Sequence, residues 1–209
     1  MRIKLAPICA LLGLSIAGPI VHAESLVDGD ADAGKAKAIT CTACHGPEGN
    51  SQNPLWPNIA GQNAKYLADQ LKAFKDGTRK DPLMTGQAML LSEEDMADLA
   101  VYFEGLPGAA QAVANADLID RGEALYRGGD LEDKSAACLA CHGPTGRGNP
   151  AAAYPALQGQ HAVYTAKQLR DYKAGARTSD GKTNQMRDIA ARLDDEDIEA
   201  LASYVQGLR

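Results

Sequence analysis

Two copies of one five-residue word carry most of the chemistry available to this 209-residue chain: Cys41-Thr42-Ala43-Cys44-His45 and Cys138-Leu139-Ala140-Cys141-His142. Two thiols at this spacing can add across the two vinyl groups of one haem and form thioethers. The adjacent histidine can then reach the iron from one side. The C-x-x-C-H word therefore reads as a c-type haem attachment site. Two of them predict two covalently bound haem c groups, held by Cys41, Cys44, Cys138 and Cys141, with His45 and His142 as axial iron ligands. Other uses of paired cysteines fit less well. Four cysteines in an exported chain would ordinarily suggest two disulfides, but the C-x-x-C-H words override that count. A zinc ion would be overfilled by two C-x-x-C pairs and their histidines. A thioredoxin-like redox pair needs a parallel-sheet pattern, and none surrounds either word.

The elements that must position these words come in two copies. Cys-His-Gly-Pro recurs at 44–47 and 141–144, an offset of 97. One inserted residue later, Pro57-Asn58-Ile59-Ala60-Gly61-Gln62 faces Pro155-Ala156-Leu157-Gln158-Gly159-Gln160. Tyr66, Gln70 and Leu71 face Tyr164, Gln168 and Leu169, and Gly77 and Arg79 face Gly175 and Arg177. After four more inserted residues, Glu94, Asp95, Tyr102, Gly105 and Leu106 face Glu196, Asp197, Tyr204, Gly207 and Leu208. A period of about 100 residues means two tandem domains rather than a solenoid. The expected division is 24–107, a linker at 108–116 and 117–209. The boundary falls in the uncharged Ala/Gly/Pro stretch from Gly105 to Asn115, whose shortness implies closely packed halves.

Each half reads as all-α. A first helix leads into each word, over Ala31 to Thr42 and Leu118 to Tyr126, the second followed by an insertion at Gly128 to Ser135. A middle helix is expected from Ala64 to Asp76, with Asn63 as N-cap and Gly77 at its end. A last helix opens at the capping-box pattern Ser92-Glu93-Glu94-Asp95. Its inner face is Met96, Leu99, Phe103 and Leu106, repeated as Ile198, Leu201, Val205 and Leu208. Domains of this size bury only modest cores, so each haem would complete the apolar mass.

An electron carrier closes the second axial position of its iron, whereas a catalyst leaves it open. Beyond the first 23 residues the chain has three histidines and four methionines. The second half has only Met186, and at an offset of 102 its counterpart is Met84. Met89 faces Ala191 and Met96 faces Ile198, which suits packing residues. Met84 and Met186 are therefore the expected sixth ligands. His161 faces Asn63 and reads as a polar residue at a helix entry rather than a ligand. A thioether ligand favours the ferrous state and raises the reduction potential.

Residues 1–23 have the parts of a secretory signal: Arg2 and Lys4, an apolar run from Ile8 to Ile20 that contains Cys9, and Val21-His22-Ala23 as the cleavage site. Its removal leaves 19 Lys+Arg against 27 Asp+Glu, a net charge of −8, which excludes nucleic acid as a partner.

The paired words, the Gly-Gln-x-x-x-Tyr-x-x-x-Gln-Leu runs from Gly61 and Gly159, and the methionine loops around Met84 and Met186 resemble the dihaem cytochrome c4 family along essentially the whole mature chain. The resemblance implies two class I cytochrome c domains related by a pseudo-twofold axis, with the haems near the domain interface. It implies that the Pro57 and Pro155 carbonyls accept a hydrogen bond from the axial histidine rings. It also implies that Tyr66, Tyr164, Arg79 and Arg177 lie near the haem edges and bind propionates. By the same resemblance the chain is a periplasmic, monomeric electron carrier, not an enzyme, between a quinol-oxidising cytochrome bc complex and a terminal oxidase; peripheral membrane association stays open. The rival readings are an electron-transfer subunit of a larger enzyme, such as a flavin-dependent sulfide dehydrogenase, and a dihaem peroxidase.

Overall fold

The computed structural model describes residues 25–181 and 183–209; the expected signal segment and its cleavage after Ala23 lie outside the described residues. The first half contains α1 (Ala31–Lys37), α2 (Ile39–His45), α3 (Ala64–Asp76), α4 (Pro82–Ala88) and α5 (Glu93–Glu104). The second contains α6 (Ile119–Gly128), α7 (Leu139–His142), α8 (Ala162–Lys173), α9 (Gln185–Ala190) and α10 (Asp195–Gly207). Among the described residues, β structure is limited to two isolated bridges, Asp130 with Ser135 and Asn149 with Tyr154. The all-α, tandem architecture is as expected, and no described helix is long and apolar enough to cross a membrane.

Local signals account for most helix limits. The Ser92 hydroxyl accepts from the Asp95 N–H at 3.0 Å, and the Asp95 carboxylate accepts from the Ser92 N–H at 2.8 Å, completing the capping box of α5. Gly77 ends α3 in the left-handed region. Three details differ from expectation. The helix expected over Ala31 to Thr42 is divided at Ala38, which packs with Leu99 and Phe103 between α1 and α2. The segments holding Met84 and Met186, expected as loops, are the short helices α4 and α9. The start of α4 is marked by Asp81, which accepts from the Leu83 and Met84 N–H groups at 3.1 and 3.0 Å, and by Pro82 in the first turn. Asp-Pro is a helix-start signal that a loop reading misses. The third detail is Asn63, which stands at the N-cap position of α3 but makes no side-chain cap.

In each half the entry helix crosses the last helix at backbone contact. A Cβ on Gly34 would lie 2.1 Å from the Asp98 carbonyl oxygen, and one on Gly122 would lie 2.4 Å from that of Ala200. Ion pairs staple both crossings. Lys37 reaches Asp98 at 2.7 Å and Asp95 at 2.8 Å; Arg121 reaches Asp197 at 2.6 Å and Asp130 at 2.9 Å. Asp130 belongs to the insertion, where it exchanges backbone hydrogen bonds of 3.0 and 2.8 Å with Ser135. The insertion is thus a self-closed turn tied to the α6/α10 crossing.

The cores are separate. That of the second half is built on Leu125, Tyr126, Leu193, Ile198, Leu201, Val205 and Leu208, with Cys138 against it. The first is smaller: Ala38, Leu99 and Phe103, lined by Cys41, Ile59 and Leu67.

Two outcomes follow from the crossings. Gly34→Ala forces apart two backbones that cannot yield as a side chain does, and should cost about 1–3 kcal/mol or more, read as a lower urea midpoint of the holoprotein. Lys37 holds the Asp98 carboxyl, and with Ser92 that of Asp95, below the usual carboxylate range. A carboxyl depressed in the folded state stabilises above its unfolded value of about 3.9 and loses that contribution as the pH falls through its folded value. Asp98→Asn should therefore be less stable than wild type at neutral pH, with the gap closing as the pH falls below the unfolded carboxyl value of about 3.9. Urea midpoints across that range check it, and a gap independent of pH would refute the ion-pair origin.

Candidate haem sites and the interface between them

The first word lies on α2 and the second on α7 with Cys138 just ahead of it. Residues three apart share one face of a helix, so each pair of thiols points the same way. All four cysteines are half-buried. Burial pushes the Cys138 thiol up to about 11 and raises that of Cys41 as well. Gly46 and Gly143, at φ 82° and 77°, end the two helices directly after the histidines.

Each histidine ring is buried and held by one backbone carbonyl: His45 Nδ1 lies 2.8 Å from the Pro57 oxygen, and His142 Nδ1 lies 3.0 Å from the Pro155 oxygen. A carbonyl can only accept, so Nδ1 carries the proton and the Nε2 lone pair is left for a metal. Burial holds both rings below the usual histidine range, against the opposing pull of the prolyl carbonyls, which favours the neutral, ligating form. The loops that deliver these carbonyls fold alike. The Gly49 oxygen accepts from the Ile59 and Ala60 N–H groups at 2.8 and 3.0 Å; the Gly146 oxygen accepts from Leu157 and Gln158 at 2.6 and 3.1 Å. Thiols on one helix face beside a neutral imidazole with a free Nε2 are a donor set that fits covalent haem.

Met84 and Met186 occupy matching half-buried places in the first turns of α4 and α9. Met96 is 3% exposed, in the core, as its packing role requires. Met89 is 57% exposed at the end of α4. Its expected packing role fails because the helix turns that position outwards.

The two halves meet through a reciprocal polar interface. Gln62 brackets the backbone of Ala156, its Nε2 donating to the carbonyl and its Oε1 accepting from the N–H, both at 2.8 Å. Gln160 brackets Asn58 in the same way at 2.8 and 2.9 Å. These are repeat-related residues acting across a pseudo-twofold axis. Asn63 spends its amide on the Tyr154 carbonyl of the other half at 2.7 Å, which is why it does not cap α3. His161, its counterpart, lies 3.0 Å from the Ser51 carbonyl through Nε2 and 3.4 Å from the Gln111 amide through Nδ1. With both nitrogens engaged it has no free ligating position. The helix starts are served instead from the last helices: Glu104 accepts from Ala64 N–H at 2.8 Å and Gln206 from Ala162 N–H at 2.9 Å. The linker is strapped down by Gln111 to Gly159 and by Ser203, which bonds the Asn115 N–H and carbonyl at 2.7 and 2.9 Å.

Arg79, Arg177, Tyr66 and Tyr164 converge at this same interface with Gln70 and Gln168. Each guanidinium lies 4.5 Å from an aromatic ring of its own half, Phe74 or Tyr172. Both are more than 90% buried. Among the described residues neither has a carboxylate partner, only phenol, hydroxyl and amide oxygens. Burial alone would raise the Tyr66 phenol, but Arg177 and Arg79 outweigh it and pull it below its ordinary value. Two buried cations without an anion fit a bound group that brings its own carboxylates. The glutamine brackets are what motif reading missed; Gln62 and Gln160 stand in both halves of the repeat, and their recurrence was the available signal.

The chain matches the cytochrome c family twice, over residues 31–107 and 119–209. It is 49% identical to cytochrome c4 of Azotobacter vinelandii over 97% of this chain and 98% of that protein. It is 36% identical to a thiosulfate dehydrogenase electron acceptor of Thiomonas intermedia (strain K12), over 81% of this chain and 78% of that one. The crystal structure of reduced recombinant cytochrome c4 from Pseudomonas stutzeri superposes with a TM-score of 0.84 at 47% identity, covering 87% of this chain and all of the other.

Gln62→Leu leaves the Ala156 N–H and carbonyl unpaired in a buried interface, at about 1–3 kcal/mol for each group. Protease cleavage within the linker at 108–116 should become faster while the haem-word helices stay protected. An unchanged cleavage rate would show that the bracket does not hold the halves together.

Proposed function

Because the chain belongs to the dihaem cytochrome c4 family, and so is an electron-transfer protein with two covalently bound haem c groups, we propose that it is an exported, periplasmic carrier of single electrons from a quinol-oxidising cytochrome bc complex to a terminal oxidase. The observation that carries this reading is the equivalence of the two halves: each offers the same thiols, the same carbonyl-held histidine and a methionine at the same place.

Cys41 and Cys44 would hold one haem and Cys138 and Cys141 the other. Each haem iron, when bound, supplies a one-electron ferric/ferrous couple. His45 and His142 present Nε2 to it, kept in the neutral tautomer by Pro57 and Pro155. Met84 and Met186 would each hold one iron through a soft thioether, which would favour the reduced state and keep out oxygen and peroxide. Arg79, Arg177, Tyr66 and Tyr164 would receive the acidic edge groups of the two haems, matching the buried positive charge between the halves. The signal segment at 1–23 would send the chain to the periplasm, where the thioethers form.

A second reading has a specific observation behind it: the similarity to a thiosulfate dehydrogenase electron acceptor. In that reading the immediate donor is a dehydrogenase. Purification from the native cell separates the two, since a stoichiometric second polypeptide that co-elutes with dehydrogenase activity favours the dehydrogenase.

The ligand roles are tested by potentiometry. Met84→His should lower the potential of one haem and Met186→His that of the other, each leaving its neighbour largely in place. A Met84→His protein with both potentials unchanged would remove Met84 from the ligand set. Fast binding of carbon monoxide to one wild-type haem at neutral pH would replace the carrier with a catalyst.

A further inference from the structure

The arginines of the interface are exchanged between the halves. Arg79 donates to Tyr164 Oη at 2.7 Å and to Gln168 Oε1 at 2.8 Å, both on α8 of the other half, and keeps Gln70 Oε1 at 2.9 Å in its own. Arg177 donates to Tyr66 Oη at 2.8 Å and to Gln70 Oε1 at 2.9 Å on α3, and keeps Gln168 Oε1 at 2.8 Å and Ser179 Oγ at 3.1 Å. Both glutamine oxygens are therefore shared by two guanidiniums, one from each half. Each tyrosine hydroxyl is held by the arginine of the opposite half.

We propose that each arginine is a positioning residue that acts in trans: Arg79 sets the charge environment of the C-terminal haem site through Tyr164 and Gln168, and Arg177 that of the N-terminal site through Tyr66 and Gln70. The inference rests on the reading that each half carries one redox-active haem. Its physical basis is the placement of the charge. Both guanidiniums are buried, neither has a carboxylate partner among the described residues, and charges away from water act more strongly and over a longer reach than charges in water. A positive charge near a haem disfavours the ferric state relative to the ferrous one, which carries one positive charge fewer. The charge that does this for one half is delivered by the other. The two sites are then coupled by construction, because the shared Gln70 and Gln168 oxygens let a change at one arginine alter the seat of the second.

The test is a redox titration of the holoprotein in which paramagnetic NMR of the haem methyl groups reports each haem separately. Arg79→Gln should shift the C-terminal haem towards its oxidised form by on the order of tenfold in the reduction equilibrium, at least as far as the N-terminal haem. Arg79→Lys, which keeps the charge, should restore most of that shift. Arg177→Gln should produce the mirror image. Tyr164→Phe, a milder change that keeps the fold in hand if Arg79→Gln does not load haem, should move the C-terminal haem in the same direction by less. In an Arg79→Gln background it should add little, since the two act as one unit. A shift confined to the haem of the substituted half, or equal additive effects of Arg79→Gln and Tyr164→Phe, overturns the trans assignment and leaves the carrier reading intact. A wild-type protein whose haems show no reversible couple would instead overturn the carrier reading itself.

Discussion

The hydrogen bond from each buried histidine ring to a prolyl carbonyl is the contact through which site and architecture are joined. It selects the tautomer, aims Nε2, and requires the loop after the haem word to fold back on itself, over the carbonyl of Gly49 in one half and Gly146 in the other. The residue next along that loop is then the one the opposite half grips. Pro57 holds His45, and Asn58 is bracketed by Gln160; Pro155 holds His142, and Ala156 is bracketed by Gln62. The carbonyl that holds each histidine and the residue gripped across the interface are neighbours in the chain in both halves. A displacement of one half against the other would be felt at once by the histidine ring, so the reciprocal pairing stabilises the ring's orientation as well as the assembly.

The interface is made of polar groups because the two apolar cores are already closed, each around its own last helix. What remains between them is backbone that must be hydrogen-bonded once water is excluded, and an unmet group there costs more than a met one contributes. The repeat solves this twice with the same residue. The arginine, tyrosine and glutamine cluster extends the same arrangement into charge, and there the protein atoms alone do not balance. Phenols, amides and one serine hydroxyl receive the guanidinium hydrogens without neutralising them.

The halves are equivalent in their candidate haem-site residues and unequal in support. The first has a small core and relies on Lys37 bridging two aspartates at its helix crossing. The second has a larger core and an inserted turn whose Asp130 joins Asp197 on Arg121. The insertion therefore belongs to the scaffold of the C-terminal half.

Much of the candidate site was legible because its chemistry is local. C-x-x-C-H states thiol spacing and histidine position within five residues, the helix of Leu67, Leu71 and Phe74 announces its period, and the duplication singles out Met84 and Met186 by making each the counterpart of the other. Local signals failed where a side chain had two possible uses. Asn63 is a good N-cap in isolation and an interface residue in the fold; Met89 is apolar and yet exposed; Asp81-Pro82 opens a helix inside what reads as a loop. The sequence alone determined the number of haem words, the helical class and the twofold repetition, since these depend on neighbours along the chain. Only the tertiary structure decided which half each arginine serves and which backbone each glutamine satisfies. Those pairings span about a hundred residues, and they exist only once burial has removed the water that would otherwise compete for every one of those groups.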